Sequence, residues 1–506
     1  MNRRDLPNGF HKPGDRIYRP KRAQRFRLRK VLGIAALFSA GYGNVGSSIY
    51  YALGIVALIA LGATPIALGI AGVIFIFNAL TYAEGSAMLP EAGGSAGFAR
   101  RGISDVGGFI GGWALTLSYI TTIAVSAYTV PPYLSYFLPA FREPVIGTAT
   151  SMGIILLLML INVIGIRESA GLNVIFIIMD IATQVALVVI GFVLILWVNP
   201  GVLFEHMFGE GNWPSPQNLI LSIAIAALAF TGVETVSQMA QEARHPAKMV
   251  PRAYIMMTVT VLVLFSGISL VALSAMSPQV LGDPVNGWAR DPVAGIAANL
   301  PSPLLQDIFE PLVAILASSI LLTATNAGLI GISRLAYNLS LHQQLPAAFS
   351  RIHAHFRTPY VGILFFCVIA AVLMIPGFFL GDFFADLGAL YAFGSLLSFA
   401  IAHAAILSMR IREPKMYRPF KLGWNLRVGD YELPVTAILG LFSTLIIWVV
   451  LTVGEPFTRL IGLTWMAVGL TGYFIYRRRN ARRPPAAPAP PPAAPPRPPP
   501  EKPGTG

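Results

Sequence analysis

Twelve apolar blocks run through this chain, at residues 31–61, 64–89, 104–138, 144–166, 171–198, 216–241, 249–275, 305–340, 358–377, 383–409, 434–453 and 456–476. About 20 apolar residues, at 1.5 Å of helix rise each, cross the ~30 Å hydrocarbon core of a bilayer. Lipid offers no partner to a bare peptide group, so each block must satisfy its own backbone as a helix. The chain is 506 residues long, with 55% hydrophobic and 12% charged residues. A soluble domain carries about 25% charged residues, so the polar surface to clothe several soluble domains is missing. The expected fold is an all-α polytopic membrane protein with twelve transmembrane helices. The single cysteine, Cys367, excludes an intramolecular disulfide and a cysteine-based metal site.

The formal net charge of +13 is uneven: residues 1–30 carry +9, residues 477–506 carry +6, and the rest sums to −2. Basic tails beside membrane spans are topology signals and bind anionic membrane lipid, so no nucleic-acid partner is expected. An even number of spans puts both termini on one side. With that side cytoplasmic, 33 Lys and Arg fall inside and three, Arg142, Arg290 and Arg459, fall outside. Such asymmetry is the positive-inside pattern of a multi-pass protein of the inner or plasma membrane with both termini cytoplasmic. Three regions follow: a basic tail 1–30, a twelve-span domain 31–476, and a basic Pro/Ala-rich disordered tail 477–506. The N-terminal stretch is too long and Pro-punctuated for a cleavable leader.

Two spans are interrupted. The first reads LFSAGYGNVGSSIYYALG over residues 37–54, with Gly41, Gly43 and Gly46 inside six positions. Each glycine weakens a helix by about 1 kcal/mol relative to alanine, so the expectation is an unwound segment around a protein-lined cavity. A half-helix restarting at Ser47 would point free N–H groups at that cavity, a setting for a carboxylate. The sixth span has Thr231 and Gly232 just before Glu234. Spans one and six correspond in two halves of five, and paired interruptions of this kind mark a transporter site at an inverted-repeat interface.

The residues around these breaks resemble the amino acid permeases of the amino acid–polyamine–organocation superfamily, over roughly 30–475. The resemblance is carried by Tyr82-Ala83-Glu84 with Pro90-Glu91-Ala92-Gly93-Gly94, Gly112-Trp113, and Gly165-Ile166-Arg167-Glu168-Ser169. It continues through Phe230-Thr231-Gly232-Val233-Glu234, Glu242-Ala243-Arg244-His245-Pro246 and Val250-Pro251-Arg252-Ala253. Its most specific pieces are Ser333-Arg334 with Gln344-Leu345-Pro346 and Thr358-Pro359, and Arg412-Glu413-Pro414 with Arg418-Pro419-Phe420-Lys421. The resemblance implies a leucine-transporter-like 5+5 inverted repeat plus two peripheral helices, alternating access, and an amino acid or related amine as substrate. It also implies a site made of Ala40, Gly41, Tyr42, Gly43, Asn44, Val45, Gly46 and Ser47 with Phe230, Thr231 and Gly232. There the carboxylate would rest on N–H groups around Gly43 to Ser47, the amine on carbonyls near Ala40, Phe230 and Thr231, and Phe230 would form an aromatic lid. The first-span motif also resembles the superfamily's potassium-uptake branches, with Asn44 where those have Asp. Potassium/proton-type cation uptake is therefore the alternative.

Ionisable groups inside spans are functional candidates by default. Glu84 is expected to pair with a loop arginine or cap helix ends, and His403 to be a packing residue. Glu234 is expected to gate or sense protons. Asp180 falls where some proton-coupled relatives place a lysine; it could bind a cation with Thr323, Thr325 or Ser319, or carry a proton. The coupling ion is then a proton or sodium. Asp386 and the tyrosines Tyr50, Tyr51, Tyr119, Tyr128 and Tyr391 are further candidates for the pathway. His342, His353 and His355 form a solvated loop rather than a metal site. No phosphate loop, nucleotide fingerprint or nucleophilic triad appears, so neither an enzyme nor a cofactor is expected.

Overall fold

In the computed structural model of the chain, residues 32–481 are described apart from 92, 166–169, 381–382 and 430; the expected tails therefore lie largely outside the described residues. A helix stands at each expected span. Span one is α1 (Ile34–Val45) and α2 (Ile49–Ala60), and span two is α3 (Thr64–Met88); the short α4 (Ser95–Gly102) follows. Spans three to five are α5 (Asp105–Leu134), α6 (Pro144–Ile164) and α7 (Ala170–Gly191), the last running into a wider π turn. After α8 (Pro200–Phe208), span six is α9 (Pro216–Ala226) and α10 (Glu234–Met239), and span seven is α11 (Pro246–Ala275). Two loop helices, α12 (Pro278–Gly282) and α13 (Pro292–Ala298), lead to span eight, α14 (Pro303–Leu341). Spans nine to twelve are α15 (Tyr360–Leu373), α16 (Phe383–Arg412), α17 (Val435–Gly454) and α18 (Pro456–Ala481). Ten helical stretches among the described residues are long and apolar enough to cross a membrane. The first of them, Ile34–Met88, spans 55 residues and contains two expected spans. The last helix continues to Ala481, past the expected boundary at 476.

The packing is that of a bundle whose outer solvent is lipid. Helix α5 is almost wholly buried and lies along α14 and α16 at the centre. Helices α6, α7 and α17 instead turn rows of large apolar side chains outward: Leu156, Leu157 and Leu160; Val185 and Val189; Phe442, Ile446 and Val449. In water such rows would form aggregation-prone patches; against acyl chains they are at home. Span twelve is tied to span three by Trp113 and Trp465, stacked with centroids 4.5 Å apart, each indole N–H donating to the other residue's carbonyl at 2.8 and 3.1 Å. Between spans ten and eleven a hairpin pairs Asn425–Val428 with Tyr431–Pro434.

Span one corrects the expectation of an unwound segment. Helix α1 runs unbroken through Gly41, Gly43 and Val45, and only Gly46–Ser48 tighten into a 3-10 turn, with Gly46 itself at φ −64° and ψ −31°. The glycines serve close approach instead. A Cβ on Gly41 would stand 2.5 Å from Val236 of span six, and one on Gly46 2.7 Å from the Tyr42 ring. Span six is the span that opens. Thr231 is extended, at φ −81° and ψ 161°, and Gly232 takes φ +98°, a conformation for which the lack of a Cβ is required.

Candidate functional site

The two interrupted spans meet. A Cβ on Gly232 would lie 2.8 Å from the Asn44 amide, so the opened backbone of span six rests on the side chain just before the turn in span one. Asn44 Nδ2 donates to Thr235 Oγ1 at 2.7 Å, and Ser47 Oγ donates to the Asn44 carbonyl at 2.8 Å. Asn44 Oδ1 is buried without a hydrogen-bond partner. The N–H of Gly46 donates to the Tyr42 carbonyl within the helix, so it is not the free donor expected there. Phe230 is also placed differently from the expected lid. Its ring packs against Phe75 of span two and Phe265 of span seven, at 5.2 and 5.5 Å between centroids.

Asp180, 1% exposed in the middle of span five, faces this turn. Its Oδ1 accepts from the Tyr50 hydroxyl at 2.5 Å, and its Oδ2 accepts from Tyr42 at 3.1 Å and from Gln184 Nε2 at 2.8 Å. The tyrosines stand on either side of the Gly46–Ser48 turn, so one carboxyl clasps both halves of span one. The donors are neutral and no cationic side chain is among them. Thr323 and Thr325, expected to share a cation with Asp180, bond instead to their own helix, donating to the Ser319 and Leu321 carbonyls at 3.0 and 2.8 Å. Thr323 does approach span one, its methyl 3.6 Å from where a Gly43 Cβ would be.

Glu234 opens α10 directly after the break and is fully buried. The backbone N–H groups of Gly232 and Glu234 lie near its carboxyl, yet neither oxygen completes a hydrogen bond. Tyr51, Tyr82, Tyr119, Tyr254 and Tyr391, from spans one, two, three, seven and ten, lie within its electrostatic reach. The hydroxyls of Tyr119 and Tyr391 and Ser126 Oγ are likewise buried and unpartnered. Orphaned polar atoms at this density are rare in native interiors.

Glu84 and His403 are paired within the bundle. Glu84 takes both guanidinium arms of Arg410 at 2.8 and 2.7 Å and the Leu422 N–H at 2.8 Å; the arginine partner was expected, but it stands in the last turn of α16 rather than a loop, and Leu422 belongs to a loop rather than a helix end. His403 lies between Thr81 and Asn78 at 2.9 and 2.8 Å, as expected of a packing residue. Asp386 lies within electrostatic reach of Glu455, and Tyr128 packs on Phe383 and Phe384. His353 Nδ1 accepts the N–H groups of His355 and Phe356 and so shapes its own turn.

The site is shut at both ends. At the end carrying the termini, Leu32 forms a parallel bridge with Ala243, and Arg334 of span eight pairs with Glu242 at 2.7 Å. At the opposite end the Tyr133 hydroxyl donates to the Tyr50 carbonyl at 2.8 Å and accepts the Val293 N–H of α13 at 3.4 Å. Beside it Arg142 pairs with Asp291 at 2.9 Å and covers Trp288. Arg142 and Asp291 border a cavity of about 50 Å³ that Tyr128 and Thr148 also line. Burial pushes Asp291 up to about 6 despite Arg142, whose half-exposed charge is screened by water. Sequence reasoning missed Gln184, Tyr133, Ser237, Gln238 and Tyr254. Only Gln184 carried a signal, a polar side chain one helical turn after Asp180.

Comparison with known proteins agrees with this architecture. The chain is 25% identical to the branched-chain amino acid permease BcaP of Bacillus subtilis (strain 168), covering 90% of this chain and 94% of that one. It is 27% identical to the methylthioribose transporter of the same organism, covering 90% and 95%. It is 25% identical to the Asc-type amino acid transporter 1 of Mus musculus, covering 90% and 82%. The amino acid permease family model matches residues 32–475, and on that match the chain belongs to the amino acid permease family.

Proposed function

We propose that the protein is a secondary active transporter that moves amino acids across the inner or plasma membrane by alternating access, driven by a proton or another cation. The chain crosses the membrane twelve times with both termini cytoplasmic, as two inverted five-helix repeats and two peripheral spans. The observation that supports this best is the meeting of the Gly46–Ser48 turn of span one with the opened backbone of span six beside unpartnered polar groups, with Asp180 bridging the halves of span one. The substrate lies between the Gly46–Ser48 turn and the Thr231–Val233 opening. Asn44 Oδ1 and the Thr231 carbonyl face its amine, and the hydroxyls of Tyr119 and Tyr391 face its polar ends. An ionised carboxylate without partners is costly in a buried site, so Glu234 takes up a proton when the site closes and gives it back when the site opens. A change of charge at Asp180, by proton or cation, reaches both halves of span one through Tyr42 and Tyr50. Substrate release requires parting of the Leu32–Ala243 bridge and the Arg334–Glu242 pair.

The test is thermal stabilisation of the purified protein by a panel of amino acids, polyamines, methylthioribose and alkali cations. A ligand at 100 times its dissociation constant stabilises by about 2.7 kcal/mol. A shift with a class of amino acids supports the proposal; a shift with potassium alone overturns it in favour of cation uptake.

A further inference from the structure

A second group of orphaned polar atoms lies on the termini side of Glu234, away from the substrate space. The hydroxyls of Tyr82 and Tyr254, Ser86 Oγ, Ser237 Oγ and both amide atoms of Gln238 are buried without hydrogen-bond partners. They come from spans two, six and seven and converge. A Cβ on Gly94, whose φ is +49°, would stand 3.0 Å from Ser237 Oγ, 3.5 Å from Gln238 Nε2 and 3.6 Å from the Tyr82 ring. Tyr254 borders Ser86, Ser237 and Tyr82, and both tyrosines are within electrostatic reach of Glu234. The group thus reaches from that carboxyl to the Gly93–Gly94 loop at the termini end.

Neighbours that nearly meet but miss hydrogen-bond geometry are what bridging water leaves behind. A buried water needs two to four polar partners, and this group supplies them. The alternative is six polar atoms desolvated with nothing to compensate them. The titratable groups within electrostatic reach of Glu234 are Tyr51, Tyr82, Tyr119, Tyr254 and Tyr391, all neutral hydroxyl carriers. Farther along the same span Glu242 pairs with Arg334 of span eight.

We propose that Tyr82, Ser86, Ser237, Gln238 and Tyr254 enclose a hydrated compartment, separate from the substrate path, through which Glu234 exchanges its proton with the termini side. This rests on the reading of Glu234 as a proton carrier. The Glu234 O–H bond breaks as a water O–H forms. Each water in turn passes one proton on, and a hydronium leaves at the Gly94 loop while Glu234 remains as carboxylate.

Two measurements on the full chain in lipid nanodiscs test this without any transport assay. In hydroxyl-radical footprinting by X-ray radiolysis, Tyr82 and Tyr254 should label several-fold faster than Tyr42 and Tyr50, which are as buried but partnered. Equally slow labelling overturns the compartment and leaves the transport proposal standing. In infrared spectroscopy, the protonated carboxyl band that Glu234→Gln removes should exchange with D2O several-fold more slowly in Ser86→Val and in Tyr254→Phe. Unchanged exchange in both variants overturns the route. Absence of a Glu234 band at every pH overturns the proton-carrier reading itself.

Discussion

The buried ion pair between spans two and ten gives a stability prediction with a worked magnitude. Glu84 is fully buried and Arg410 is 3% exposed, joined by two parallel hydrogen bonds at 2.8 and 2.7 Å. Glu84 also accepts the Leu422 N–H, and Arg418 stands 3.6 Å away. Glu84→Gln preserves shape, but it turns one acceptor oxygen into a donor facing another donor and leaves the Arg410 charge without compensation. Removing one partner of a buried pair costs about 3–5 kcal/mol, most of it the stranded charge. Arg410→Met should cost less than Glu84→Gln, because Arg418 at 3.6 Å still faces the carboxylate; the double variant should cost less than the sum, because only Arg418, held by the Met409, Glu413 and Met416 carbonyls, then lacks its carboxylate. The Arg101–Glu413 pair, with side chains 56% and 33% exposed, is the internal control; its loss should cost under about 1 kcal/mol. The assay is equilibrium unfolding in mixed micelles for the two singles, the double and the control. Additive singles, or a Glu84→Gln effect as small as that of the control, would refute the reasoning.

Three further outcomes are expected. Gly232→Ala forces a side chain into φ +98° and to 2.8 Å from Asn44; it should abolish transport while the protein still purifies as a folded monodisperse species, and retained transport would show that span six does not need this opening. Trp465→Leu removes both the 4.5 Å stacking and the reciprocal N–H bonds to span three, costing about 3 kcal/mol of stability, with substrate affinity unchanged in a binding assay. Asp291 binds its proton more tightly in the folded protein, at about 6, than an ordinary aspartate does at 3.8. Its contribution is therefore fully present below about pH 4 and is lost as pH rises through about 6. Asp291→Asn should flatten that stretch of the stability–pH curve, and an unaltered curve would place the titration elsewhere.

The sequence made some of this architecture readable and hid the rest for physical reasons. Span positions were legible because lipid imposes length and apolarity on each segment separately. The opening of span six was legible because Gly232 serves a backbone conformation, which is local. In span one the same residue type misled: Gly41 and Gly46 make room for Val236 and the Tyr42 ring, and close packing leaves the same trace in sequence as unwinding. The clasp of Asp180 on Tyr42 and Tyr50 joins residues more than 100 positions apart. Nothing in a 3.6-residue period says which faces of two helices meet. Phe230 shows the limit of resemblance, since an aromatic at a family position can pack into a wall of neighbouring rings. Glu84 was readable because a carboxylate buried in a span must find a cation; its partner, Arg410, sits in the last turn of α16 rather than in a loop.

The central claim is that an ion-coupled transporter works through a carboxyl that clasps both halves of span one. Asp180→Asn tests it most directly, in vesicles, with gradient-driven accumulation of the stabilising amino acid measured beside exchange of that amino acid across the membrane. The account predicts that accumulation no longer responds to the ion gradient while exchange persists. Accumulation with the wild-type ion dependence would contradict it.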